Sequence, residues 1–267
     1  MELLNNIYEQ GPGAKTLAAL PRVNVMVKTA GIVIIGNEIL SGMVQECNAV
    51  FMAGELRSRG IKLCRISIIT DEVNEIARTV REFSQEFTYV FTSGGIGPTH
   101  DDVSIAGISK AFNVEPVVDD DLKGLLNERF GGDLTPERLK MAQVPEGAEL
   151  ITDKTLRFPL IKFKNVYIFP GVPKLLRDKF FVSARHFESN TIFSKKIHVK
   201  GSESEIAPFL NEIVYHFKEV NVGSYPAKEN GRSRVTITLE SYLEREVDSA
   251  LRQLIICLPE KNMIRVE

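Results

Sequence analysis

The run AGIVIIG, residues 30–36, constrains the fold of this chain more than any other segment. It is apolar throughout and rich in β-branched side chains, which suits a strand covered on both faces, and Gly36 closes it. An alternation follows. Residues 49–60 carry Val50, Phe51 and Leu56 near helical spacing, with Asn48 placed to cap the start and Gly60 to stop the helix. IKLCRISII, 61–69, reads as a second strand, and residues 71–87 put Val73, Ile76, Ala77, Val80 and Phe83 on one helical face. TYVFTS, 88–93, is a third strand, and SIAGISKAF, 104–112, a further helix with Ser104 as its expected cap. This is the order of a doubly wound parallel sheet, whose ligands bind outside the carboxyl ends of the strands. Asn37 and Glu38 after the first strand, Asp71 after the second and the stretch FTSGGIGPTHDD, 91–102, all fall at that edge.

A strand that ends in Gly-Gly-x-Gly before a helix allows close backbone approach, and its N–H groups suit a phosphate. Gly94, Gly95 and Gly97 can take positive φ without a Cβ clash, so a tight turn with no ligand is equally open. Asp101 and Asp102 would repel a bare phosphate but suit one if a hard divalent cation sits between, and oxygen ligands fit magnesium or manganese. Alternatively, both favour the start of the next helix through its dipole. Asp71 has the same two readings, helix cap or site acid. His100 reads as a surface residue or a general acid, and His186, His198 and His216 show no metal spacing.

Composition excludes several classes. With 33 basic and 35 acidic residues the net charge is −2, which gives no global field for nucleic acid or an anionic membrane. No apolar run is long enough to span a bilayer. Cys47, Cys64 and Cys257 form no C-x-x-C pattern, so they read as small core residues in a reducing compartment, and a cytoplasmic location is expected.

Later segments are less regular. Residues 119–131 look helical, and Thr135 with Pro136 marks another helix start. FPLIKFKNVYIFPGVP predicts two short strands joined near Lys164 and Asn165, then a turn at Pro170–Gly171 and a closing helix. From KKIHVKG onward a β-α-β-β-α order predicts a small α/β sandwich. The expected organisation is a loosely ordered leader over 1–27, a nucleotide domain over 28–188 and a small domain over 194–267.

TSGGIGPTHDDVS resembles the signature of molybdopterin-binding domains of the MoaB/Mog type. GNEILSGMVQECN, that loop and FPGVPKLL together are similar to the branch shared by CinA proteins and eukaryotic FAD synthases. VGSYP, 222–226, followed by RVTITLES, resembles the small domain next in order there. The resemblance covers residues 28–267 and is greatest with the N-terminal half of animal FAD synthases. It implies a three-layer α/β/α fold with a mostly parallel sheet and a homo-oligomer. It also implies a small-molecule nucleotide or pterin as ligand, with no nucleic acid and no membrane. Asp102 and Asp71 match the family's pocket aspartates, and PGVPK places Gly171, Pro173 and Lys174 near the same pocket. The CinA branch is associated with metal-dependent cleavage of nucleotide diphosphates, and the FAD synthase domain with hydrolysis of FAD to FMN and AMP.

The expected catalytic set is Asp102, Asp71 and Glu38. Asp102 with Asp101 is expected to hold magnesium, manganese or cobalt. Ser93, Gly94, Gly95, Gly97, Thr99, Asn37, Asn48, Gly171, Pro173 and Lys174 are expected around FAD or another nucleotide. The alternative is a non-catalytic pterin-binding or regulatory module. Cys47 departs from the family's usual threonine, which removes a hydroxyl contact there. No Gly-Gly-Lys-Asp-like segment precedes Glu267, so FMN adenylylation is not expected of this chain, and a synthase domain would be a separate or missing part.

Overall fold

The computed structural model describes residues 26–229, 232–259 and 262–267. The expected leader, apart from residues 26 and 27, lies outside them. The chain divides into two compact units, with residues 27–190 in one and 191–267 in the other.

In the first unit, strands β1 (Thr29–Ile35), β2 (Lys62–Ile69), β3 (Tyr89–Ser93), β6 (Glu149–Ile151), β7 (Leu160–Phe163) and β8 (Val166–Phe169) form one sheet, ordered β2-β1-β3-β8-β7-β6. The pairs β1/β2, β1/β3 and β3/β8 are parallel, and the hairpin partner β7 runs against β8. Beside it, β4 (Pro116–Val118) and β5 (Gln143–Pro145) pair as a separate ribbon. The helices are α1 (Asn37–Leu40), α2 (Asn48–Ser58), α3 (Val73–Glu86), α4 (Ser104–Phe112), α5 (Asp120–Phe130), α6 (Pro136–Lys140) and α7 (Pro173–Ser183).

The two-residue period of β1 builds the layers. Val33 and Ile35 face a core with Ile76, Val80 and Phe83 of α3, Ile105 and Ile108 of α4, and Leu122 and Leu126 of α5. Ile32 and Ile34 face the opposite core, with Met52 and Leu56 of α2 and Leu176 and Phe180 of α7. Both cores are built of buried apolar side chains, which β1 supplies to each face in turn, and the three-layer α/β/α arrangement follows. On the second side Phe91 stacks on Tyr167 at 5.5 Å between ring centroids, and both meet Phe187 edge-on. The β7–β8 turn holds Lys164 at φ 52°, and Asn165 donates to the carbonyls of Ser84 (3.0 Å) and Phe87 (2.9 Å), tying the hairpin to the end of α3.

The second unit runs β9 (Phe193–Lys200), α8 (Glu203–His216), β10 (Asn221–Glu229), β11 (Arg232–Ser241), α9 (Glu244–Cys257) and β12 (Met263–Val266). Its antiparallel sheet has the order β10-β11-β9-β12. Strand β12 completes the expected β-α-β-β-α order at the sheet edge. Ile197, Val199, Ile237 and Leu239 form a core with Ile206 and Ile213 of α8 and Val247 and Leu254 of α9. Ser202 and Glu205 make a reciprocal capping box at the start of α8.

The cysteines depart from the core role expected of them. Cys64 is exposed and Cys47 and Cys257 are partly so, all with free thiols. Cys64 occupies the register shift between β1 and β2, where the side-chain alternation breaks. No described helix is long and apolar enough to cross a membrane.

Candidate functional site

The strand order reverses between β1 and β3, so the loops leaving β1, β3 and β8 stand side by side at one edge of the sheet. Gly36 N–H donates to Ile69 O (3.2 Å) and Gly94 N–H to Phe169 O (3.1 Å), carrying the ladder one residue past the strands. Gly94 has φ 108°, and a Cβ there would lie 2.1 Å from Ile35 O. Only glycine lets the two loops approach so closely. The loop is then tied to α4, because Ser104 Oγ donates to Gly94 O (2.7 Å) and Ser104 N–H to Gly95 O (2.9 Å). Ser104 is therefore not the cap expected of it, and Val103 holds that position without a capping side chain. Gly94 N–H is spent inside the sheet, whereas the amides of Gly95, Ile96 and Gly97 have no acceptor among the described residues.

Asp102 folds back on the loop, and its Oδ2 accepts from Thr99 N–H (2.8 Å) and Thr99 Oγ–H (2.5 Å). Asp71 does not cap α3, whose cap position is Glu72. Its Oδ2 instead accepts Asn37 N–H at 2.7 Å, capping α1 from the neighbouring strand end. Burial first, and then the fields of Glu38, Asp101 and Asp102, push the Asp71 carboxyl above the usual aspartate range, partly offset by the Asn37 amide. Asp101 is held below that range, first by the nearby Thr99 hydroxyl, whose one hydrogen points to Asp102 in this arrangement and would have to turn to reach Asp101, and then by its own amide. The four carboxylates thus share one rim. His100 is fully exposed, with Nδ1 3.9 Å from Asp101.

A cavity of about 470 Å³ opens at this rim, within the range of small-molecule sites. Of the expected residues, Glu38, Gly94, Gly95, Gly97, Asp102 and Gly171 line it. Asn37, Asp71, Thr99 and Asp101 stand beside the lining as its supports. Ser93 and Asn48 lie beneath. Asn48 does not cap α2; Glu46 Oε1 accepts Ala49 N–H (2.6 Å) instead. The buried Asn48 Nδ2 donates to Gly171 O (2.7 Å) and Ser93 Oγ (3.1 Å), strapping the β8 loop to β3 from below. Pro173 opens α7 at its first position. Lys174 is 83% exposed and turns along the helix to Asp178 (2.9 Å), away from the lining.

Basic and aromatic groups missing from the expected set also line the cavity: Arg129 of α5, Lys140 of α6, Lys179 of α7 and Phe158. Lys140 Nζ donates to Thr99 O at 2.5 Å, closing the glycine loop from its far side. Lys179 had a sequence signal, since Leu176, Lys179, Phe180 and Ser183 share the i, i+3, i+4, i+7 stripe of α7 and all are buried. A lysine on such a stripe needs a reason to be there.

Residues 31–186 match the family described as a probable molybdopterin binding domain, and residues 191–267 match the FAD synthase middle domain. A protein of Archaeoglobus fulgidus is 36% identical over 195 residues, covering 73% of this chain and 84% of that one. The probable FAD synthase of Caenorhabditis briggsae is 30% identical over 264 residues, covering 86% of this chain, which spans only 50% of that protein's length. Among solved structures, the CinA protein of Thermoplasma acidophilum aligns with a TM-score of 0.56 at 31% identity, over 60% of this chain and 98% of that one. With its first-unit match spanning more than half of the sequence, this chain belongs to the probable molybdopterin binding domain family, in the form that continues into an FAD synthase middle domain.

Proposed function

We propose that the unit of residues 27–190 is a metal-dependent nucleotide diphosphatase that hydrolyses FAD to FMN and AMP. The observation that carries this reading is a convergence: two cavity-wall carboxylates, Glu38 and Asp102, and the uncommitted amides of Gly95, Ile96 and Gly97 meet in one cavity. The amides suit the diphosphate. Water adds to one phosphorus, the bridging P–O bond breaks, and Glu38 is placed to accept the water's proton. The flavin is suggested by the nematode relatives, which are named as probable FAD synthases.

The donor chemistry fits a hard divalent cation. Asp71 and Asp102 each commit Oδ2 to a local hydrogen bond and leave Oδ1 without a donor among the described residues. Burial first, and then the neighbouring acids, hold the Asp71 carboxyl above the usual range, and a bound cation would favour its charged form. Among the described residues no three His, Cys, Asp or Glu are already gathered for a metal, so phosphate oxygens would complete the coordination. When bound, the cation supplies Lewis-acid polarisation of a phosphoryl oxygen. Asp71 and Asp102 would hold it, with Asp101 at the edge.

The test is incubation of the full chain with FAD and magnesium, manganese or cobalt, following the rise in flavin fluorescence as FMN forms. Asp102→Asn keeps the acceptor for Thr99 and removes the charge, so it should reduce turnover at least about 100-fold with little loss of stability. Undiminished turnover in that variant refutes the metal role of Asp102. Saturable pterin binding by the wild type without turnover under any metal replaces the hydrolase with a binding module.

A further inference from the structure

Lys179 is the feature of the cavity that the proposed hydrolysis does not use. It is 8% exposed, lines the cavity and has no carboxylate partner among the described residues. Its Nζ donates to the main-chain carbonyls of Phe158 (2.9 Å) and Pro159. An ammonium group carries three hydrogens. Two are committed and the third has no acceptor among the described residues, and a buried donor is rarely left that way. The two carbonyls also fix where Nζ sits, so the remaining hydrogen is held in place rather than mobile.

The surroundings decide what that hydrogen meets. Leu126, Phe158, Ile161, Ile168 and Leu175 share the lining with it. A phosphate finds better hosts at the glycine amides. The apolar part of the wall around Lys179, with its directed Nζ–H, suits a flat ring with an oxygen acceptor on its edge, while Arg129, Lys140 and Gln143 are the other donors of the lining. Flavins and pterins carry ring carbonyls; adenine carries none. We propose that Lys179 is a specificity-determining residue that selects a planar heteroaromatic ring with a carbonyl edge over adenine, through its one uncommitted Nζ–H. This deepens the proposed function by assigning the ring end of the nucleotide to the apolar chamber, and its ring-binding step does not require that hydrolysis occurs. Burial has pulled the Lys179 pKa down to about 8, which leaves the ammonium form in the majority at neutral pH.

The experiment measures binding of FMN, pterin and ADP-ribose to the full-length wild type and to Lys179→Met, by flavin or pterin fluorescence and by calorimetry. Loss of one charged hydrogen bond should weaken FMN and pterin about 10- to 100-fold in the variant, with ADP-ribose within about twofold. An FMN or pterin preference in the wild type tells which ring the chamber takes. Unchanged FMN and pterin affinity in Lys179→Met, or equal loss for ADP-ribose, overturns the proposal, as does failure of the wild type to bind either ring. Should Lys179→Met not fold, 2-thio and 4-thio analogues of FMN decide the matter on the wild type. Sulfur accepts poorly, so one analogue should bind about 10-fold more weakly, and equal binding of both with FMN overturns the assignment. If FMN binds through Lys179 while FAD is not cleaved, the diphosphatase reading fails and this one stands.

Discussion

Asn48 offers the sharpest test of how the site is supported, because its side chain is buried outside the cavity lining yet holds the β8 loop. In Asn48→Leu, the branched shape and heavy-atom count remain but Gly171 O loses its 2.7 Å donor, and Ser93 Oγ loses one bond while keeping its 3.3 Å contact to Pro170 O. Gly171 is exposed, so its carbonyl can turn to water and each of the two lost bonds contributes about 1 kcal/mol. The expected destabilisation is therefore about 1–2 kcal/mol. Asn48→Asp sharpens the test through its sign. Ionised, the carboxylate faces Gly171 O with no donor; protonated, it can donate again. Its folded pKa is raised, so the variant should gain stability on the wild type as pH falls and lose it as pH rises through the folded value. Urea-dependent amide hydrogen exchange at β1, β3 and β8 reports this unit alone. A loss below about 0.5 kcal/mol in Asn48→Leu, or a pH-independent difference between Asn48→Asp and wild type, would refute the strap.

Other expectations follow from the same geometry. Gly94→Ala sets a Cβ 2.1 Å from a main-chain oxygen at φ 108°, whereas the Cβ of Gly171→Ala meets Gly94 Cα at an ordinary 3.5 Å. The first should cost more than about 3 kcal/mol and the second less than about 1 kcal/mol in urea midpoints, and comparable losses would contradict the close approach of the loops. Because the Asp71 pKa is raised, its contribution is present below the ordinary value of 3.8 and lost as pH rises through the folded value. Stability of the wild type relative to Asp71→Asn should therefore fall with rising pH across that window, and a rise would show that the Asn37 amide outweighs burial and the neighbouring acids. For Lys179 the sign is opposite: with a folded pKa of about 8 against 10.5, stability is fully present above 10.5 and lost as pH falls through 8. Relative to Lys179→Met, wild-type stability should climb by about 3 kcal/mol from pH 8 to 10.5; a flat difference would mean the two carbonyls fully compensate burial.

How much was legible before the structure varied with the range of the interactions. Strands β1 and β3, helices α3 and α4 and the β7–β8 turn were readable because each is set by a short-range period or by turn residues at Lys164 and Asn165. Strands β4, β5, β6 and β12 were not. Each has only three or four residues, too few for a period to emerge, and each exists because a partner strand is supplied from elsewhere. The capping assignments for Asn48, Asp71 and Ser104 share one cause. A polar residue before an apolar run is a local capping signal; here Asn48 and Asp71 bond instead to segments brought close only by the sheet, and Ser104 to the glycine loop folded back against its helix.

From the sequence by itself came the alternating α/β architecture, the sheet edge that carries the candidate site and the glycines and acids that gather there. These depend on periodicity and on backbone freedom, which are properties of neighbouring residues. The tertiary structure alone decided which amides stay uncommitted, that Asp71 serves the first loop rather than its own helix, and that a buried lysine and a phenylalanine finish the cavity. Hydrogen-bond partners and burial are set by packing, and packing joins residues such as Asn48 and Gly171, which stand 123 positions apart in the chain.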